Sequence, residues 1–109
     1  MRHPRIGDLR HRVVLEAASR ADDGSGGAVE TWTEVDTVWA SIKPTSGGER
    51  DIANQIAGRV THEIAIRFRD GVRPEMRFRL DARIFEILAV VDDGERRRFL
   101  KCLSEERDL

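Results

Sequence analysis

The side chains able to do chemistry in this sequence are three histidines (His3, His11 and His62), the single cysteine Cys102, the serines, and the pairs Asp22-Asp23 and Asp92-Asp93. A zinc site needs cysteine or histidine ligands at short paired spacings. No histidine here stands at such a spacing from another or from Cys102. His62 shares the parity of Ile64 and reads as a packing residue at a strand end. Ser41, Ser46 and Ser104 lie in no nucleophile-elbow pattern such as G-x-S-x-G. Ser46-Gly47-Gly48 has neither the spacing nor the lysine of a phosphate loop. The acidic pairs stand beside glycine, where turns favour them, and neither completes a calcium loop. No carboxylate pair for acid–base work can be singled out among 20 acids. The reading is a non-enzyme with no catalytic, cofactor or metal residues.

Basic residues are the next candidates. All but Lys43 and Lys101 are arginines, although 19 basic against 20 acidic residues leave a net charge of −1. A GC-rich genome is one cause of the arginine bias. Interface building is the other, because the planar guanidinium pairs bidentately with carboxylates. The first 20 residues hold five arginines against Asp8 and Glu16, whereas Arg96-Arg97-Arg98 is flanked by Asp92, Asp93 and Glu95. Single-strand binding calls for aromatics interleaved with the basic residues as stacking platforms. Tyrosine is absent, and the phenylalanines and tryptophans mostly fall at core parity.

The elements that must position these residues are strands. Ile64, Ile66 and Phe68 share one parity, and Glu63, Arg67 and Arg69 the other. After the turn-like Asp70-Gly71-Val72-Arg73-Pro74, Met76, Phe78 and Leu80 alternate with Arg77 and Arg79. Side chains alternate faces along a strand, so each segment has one apolar and one charged face. Replacing Ile66 would therefore strike the core. Residues 11–18 read as a first strand with Val13, Leu15 and Ala17 on one face. The glycine-rich ADDGSGG, 21–27, reads as a long hairpin tip, and 28–44 as a second strand with an interruption at Glu34-Val35-Asp36. An unbroken strand would put Trp32 and Trp39 on opposite faces, and a bulge at 34–36 would restore a common one. One tryptophan is expected in the core and the other at an interface. Residues 82–91 and 97–105 supply the last strands.

At 109 residues the chain reads as one domain: an extended arm at 1–9, a β-barrel at 10–105, and a long loop at 45–58. The expected class is all-β, a small antiparallel barrel or sandwich of about six strands, with a short helix in the loop from Ile52, Ala53 and Ile56. No apolar run reaches the roughly 20 residues of a membrane span. MRHPRIGDLRHR lacks the apolar core of a secretory signal. One cysteine allows no internal disulfide, and a cytoplasmic setting with no membrane partner is expected.

The order of these features resembles the head–tail joining proteins of long-tailed double-stranded DNA phages, also called head-closure or stopper proteins. The resemblance runs from Ile6 to Glu105. It rests on IGDLRHRVVLE, on the glycine-rich tip followed by ETWTEVDTVWASIKPTSGGER, and on THEIAIRFRDGVRPEMRFRLDARIFEILAVVDDGERRRFLKCLSEE. Asp81-Ala82 departs from it, since relatives often place glycine at that hairpin turn. The resemblance implies a non-enzymatic ring of six or twelve copies in the neck of a phage or gene-transfer particle, made in the bacterial host cytoplasm. The ring would connect a portal and adaptor above to a tail-terminator protein below, with double-stranded DNA passing through its lumen.

Within that frame Arg2, Arg5, Ile6 and Leu9 are expected to order against a neighbouring ring, and Trp32, Trp39, Arg67 and Arg69 to meet neighbouring subunits. Ser46, Gly47, Gly48, Glu49, Arg50 and Asp51 are the channel-gate candidates. A solvated helix packing Ile52 and Ile56 on the barrel is the other reading of that loop. A free nucleic-acid-binding barrel of oligonucleotide-binding type is the alternative for the whole chain.

Overall fold

The computed structural model of the chain describes residues 6–22, 24–45, 59–92 and 97–107. A single 3-10 turn, Ile6–Asp8, precedes six strands: β1 His11–Asp22, β2 Ala28–Pro44, β3 His62–Arg67, β4 Arg77–Leu80, β5 Arg83–Asp92 and β6 Phe99–Arg107. All neighbours are antiparallel, and the sheet closes on itself in the order β1-β2-β3-β6-β5-β4. The closing contact is short, with only Val14–Glu16 of β1 facing Arg77–Arg79 of β4. The all-β expectation therefore holds, and the helix expected in the long loop lies outside the described residues.

The core follows the parity of the sequence. Val13, Leu15, Ile64, Ile66, Phe78, Phe85, Ile87 and Cys102 form the buried centre. Phe68 falls just past β3 and is half-buried against its edge, while Arg67 points out. β6 differs from the simple pattern. Leu100, Cys102 and Ser104 point inward, yet Phe99, Lys101 and Leu103 on the opposite face are buried as well. Lys101 stays compatible with burial because its Nζ is 3.4 Å from the carboxylate of Glu63.

Two bulges adjust the strands to closure. Leu15 faces Asp36 but Glu16 faces Glu34, so Val35 is the extra residue at the interruption read from the sequence. A second shift lies between Ile87 and Ala89. Bulges add twist and bend a strand, which closing six strands requires. In the turn after β3, Gly71 has φ +85°. Asp81, first residue of the β4–β5 turn, has φ +53° where glycine would be at ease, and aspartate is among the residues that tolerate this region.

Two expectations need correction at the amino end and in β2. Residues 1–9 are not all an extended arm, since Ile6–Asp8 make a helical turn and Leu9 is buried in its own domain. The turn is held in part by Arg10 Nε, which donates to the Gly7 carbonyl at 3.2 Å. Apolar burial of Leu9 outweighs the conformational freedom of so short a segment. Neither tryptophan is in the core. The bulge at Val35 brings Trp32 and Trp39 to one face, opposite Ala18 and Arg12, and that face is the outer one.

Candidate interface surfaces

Outward positions of β1, β2 and β4 assemble two arginines and a tryptophan around a buried carboxylate. Glu16 on β1 faces Arg77 on β4. Arg77 Nε donates to Glu16 Oε1 at 2.7 Å, and Arg79 Nε donates to Oε2 at 3.2 Å. The Arg77 guanidinium then lies 3.9 Å from the centroid of the Trp32 ring. Burial pushes the Glu16 carboxyl up, but the hydrogen bonds and charges of both arginines outweigh it and hold the group below the usual carboxylate range. Arg77 is thus fixed between a carboxylate and an indole, and Trp32 is half-buried beneath it.

A second network crosses β5 and β6. Arg83 grips Glu106 bidentately, Nε at 2.8 Å and Nη2 at 3.1 Å. Arg59 reaches Glu105 at 3.0 Å, and Arg107 reaches Glu86 at 3.3 Å and Glu105 at 3.4 Å. The hydrogen bond from Arg83 holds Glu106 low, and that from Arg59 does the same for Glu105. His62 packs edge-on against Phe85 with centroids 5.3 Å apart. Burial lowers its pKa, against the opposing pull of Glu106. This is the packing role its parity implied.

The third feature is a groove of about 440 Å³ beside β2 at the end of β3, lined by Asp36, Val38, Trp39, Arg67, Phe68, Arg69 and Asp70. Trp39 is 52% exposed, the most exposed large hydrophobic side chain among the described residues. The Arg12 guanidinium lies 5.4 Å from its ring centroid. Arg69 is committed to its own chain: Nη1 meets Asp36 Oδ2 at 2.8 Å and Nε donates to the Asp70 carbonyl at 3.1 Å. Arg67 is exposed and makes no ion pair among the described residues. It also borders a second depression with Arg97 and Arg98.

Three of the four predicted interface residues, Trp39, Arg67 and Arg69, therefore share one groove. Trp32 borders a different one with Ala18, Arg20, Glu30, Glu75 and Glu86. Glu16 escaped sequence reading. Its outward parity was visible, but the pairing of β1 with β4, some 60 positions away, was not.

Arg2 and Arg5 of the arm and the gate candidates Ser46, Gly47, Gly48, Glu49, Arg50 and Asp51 lie outside the described residues, as does the Ile6 side chain. The segment that holds the gate candidates leaves and returns at one point, where Thr45 N donates to the Thr61 carbonyl at 3.0 Å. Thr61 N in turn donates to Ser104 on β6 at 2.9 Å. Cys102 is sealed in the core, and burial pushes its thiol up to about 12. Among the described residues no histidine, cysteine and carboxylate group could hold a metal ion.

Comparison with known proteins adds what the geometry alone does not supply. The chain is similar to a chain in the virion of a native gene transfer agent particle, at 38% identity, 96% coverage of this chain, 98% of that one, and a TM-score of 0.69. It is also similar to the solution structure of protein SF1141 from Shigella flexneri 2a, at 25% identity, covering 94% of this chain and 96% of that one, with the same TM-score of 0.69. No curated protein matches it. The family model of the phage head completion proteins matches residues 4–107, nearly the whole chain, which therefore belongs to the phage head completion protein family.

Proposed function

We propose that the protein is a non-enzymatic head-closure subunit. Copies form a ring that seals the DNA-filled head after packaging and joins the portal and adaptor above to the tail below. The observation that carries this reading is the end-to-end likeness, at 38% identity, to a chain of a gene transfer agent virion. An alignment that covers 96% of this chain and 98% of that one favours the same kind of place in a particle of that kind.

The physical features agree with such a part. A closed sheet tied across its strands by ion pairs gives a rigid body, and its exposed features face outward for neighbours. Residues 46–58 are inserted at a hairpin base pinned by Thr45 and Thr61, so changes there need not disturb the barrel. Glu49 and Asp51 would repel DNA phosphates if that segment reached the channel, and Arg50 would pair with a carboxylate of the next copy. Arg2 and Arg5 remain the arm candidates for a neighbouring ring, whereas Leu9 anchors the arm to its own barrel. The lumen passes DNA without reading its sequence.

Electron microscopy of particles from cells lacking this chain tests the proposal. Tailless heads that have lost their DNA are the expected result. Filled, tailed particles would overturn it.

A further inference from the structure

Arg59, Arg69, Arg77, Arg79, Arg83 and Arg107 each reach a carboxylate of their own chain within 3.3 Å. Arg12, Arg67, Arg97 and Arg98 reach none among the described residues, and all four are exposed. The fold gathers these four on one side of the barrel. Arg12 faces Trp39 across β1 and β2, and Arg67 faces Phe99 across β3 and β6. Ala40 faces Ile66, which sets Trp39 beside Arg67 on the outward side. Arg97 and Arg98 come from the turn before β6. They share with Arg67, Phe68 and Phe99 a depression of about 380 Å³ that no carboxylate lines. The Trp39 groove adjoins it at Arg67 and Phe68. There Asp36 is taken by Arg69 at 2.8 Å, which leaves Asp70 as the only lining carboxylate without a cation among the described residues. Of the other charges in the β5–β6 turn, Asp93, Glu95 and Arg96 lie outside the described residues.

These arginines are held in place. Arg97 has φ +55°, and its N–H donates to Asp92 Oδ1 at 3.2 Å. The Phe68 N–H donates to the Arg98 carbonyl at 3.0 Å, tying the turn to the end of β3. The guanidiniums of Arg97, Arg98 and Arg12 lie 5.8, 5.9 and 5.4 Å from the ring centroids of Phe68, Phe99 and Trp39. A guanidinium resting on a ring engages its face and keeps its N–H edge for an acceptor. Cations fixed in this way call for an anion from outside the chain. A second copy supplies few, because its outward Glu16, Glu86, Glu105 and Glu106 are held by its own arginines. We propose that this arginine band is a phosphate-contact surface for double-stranded DNA, and hence the side of the subunit turned toward the DNA path. Contacts to phosphate position a duplex without reading its sequence. The inference rests on the ring reading for where the DNA lies, not for the binding itself.

The test titrates the purified full chain into a short labelled duplex of mixed sequence at rising salt, followed by fluorescence anisotropy. If all four arginines meet phosphates, log affinity falls against log salt with a slope of about −3 to −4, from roughly 0.9 per phosphate. Arg67→Gln and Arg98→Gln, made separately so that a misfolded one leaves the other informative, should each weaken binding and reduce the slope by about 1. Arg20→Gln removes the same charge from β1 beside Glu30 and should leave the slope as it is. No binding at low salt would overturn the proposal. So would an unchanged slope in the folded Arg67 and Arg98 variants, or an equal loss in all three. Tighter binding of polyglutamate than of duplex would overturn it in favour of an acidic protein face. The ring reading is tested apart from this. Tailless, empty heads from cells lacking the chain uphold it even where the duplex does not bind, and filled, tailed particles take it down even where the duplex does.

Discussion

Glu16→Gln is the perturbation that probes the barrel's closing seam. Gln keeps the shape and one acceptor but removes the charge that Arg77 and Arg79 share. The Glu16 side chain is 9% exposed, Arg77 21% and Arg79 39%. A hydrogen bond to a charged group contributes about 1.5–3 kcal/mol. The Arg77 bond deserves most of that range. The Arg79 bond is discounted, since its guanidinium is screened by water. Allowing for the acceptor that Gln retains, the expected loss is about 2–3 kcal/mol at pH 7, by this estimate from charged hydrogen bonds.

The pH dependence separates this cause from general damage. The folded Glu16 carboxyl is held below its ordinary value of 4.5. Its stabilisation is therefore fully present above the unfolded value and disappears as pH falls through the folded one. Urea unfolding followed by circular dichroism, at fixed protein concentration and at several pH values from neutral to acid, measures the difference. Wild type and variant should converge on acidification. Glu105 and Glu106 titrate in both proteins and cancel in the comparison. A variant within about 0.5 kcal/mol of wild type at pH 7, the scatter of ordinary surface substitutions, would refute the reasoning. So would a difference that persists unchanged in acid.

Other consequences can be measured more simply. Ile66→Ala, at a fully buried position, should lose roughly 2–5 kcal/mol in denaturant unfolding, and a loss under about 1 kcal/mol would show that the core can collapse around it. Glu75 has φ +78° opposite Ile87, where its N–H donates to the Ile87 carbonyl at 3.2 Å, so Glu75→Gly should raise the melting temperature by relieving a cost on the order of 1 kcal/mol, and a fall would contradict this. Cys102 should react with a thiol reagent only after unfolding, because burial and a thiol near 12 leave little accessible thiolate at neutral pH, and rapid labelling of the native protein would be the contrary result. Replacing residues 47–57 by a short Gly-Ser linker should leave the barrel folded by circular dichroism while heads leak DNA. Normal retention and tail joining would show that the segment is no gate.

Local pattern was enough to determine the fold class and much of the core. Alternation at Ile64, Ile66, Met76 and Phe78 identifies strands because a strand's geometry gives every second side chain to one face. The Glu34–Asp36 interruption was legible for the same reason, since an extra residue breaks that parity. The family was legible too, from the order of segments along the chain. What parity cannot say is which face becomes the inside once a sheet closes, or which distant strand supplies the neighbour. By type and spacing one of Trp32 and Trp39 is expected in the core and the other at an interface, yet the bulge at Val35 puts both on one outward face, where each has an arginine over its ring. Leu9 looks like part of a free arm until the barrel offers it a place to bury. Glu16 is one acid among 20 in the sequence and becomes the hub of two arginines only because β4 closes against β1. Closure is a long-range event: it depends on summed twist, bulges and burial across all six strands, and no local window of residues contains it.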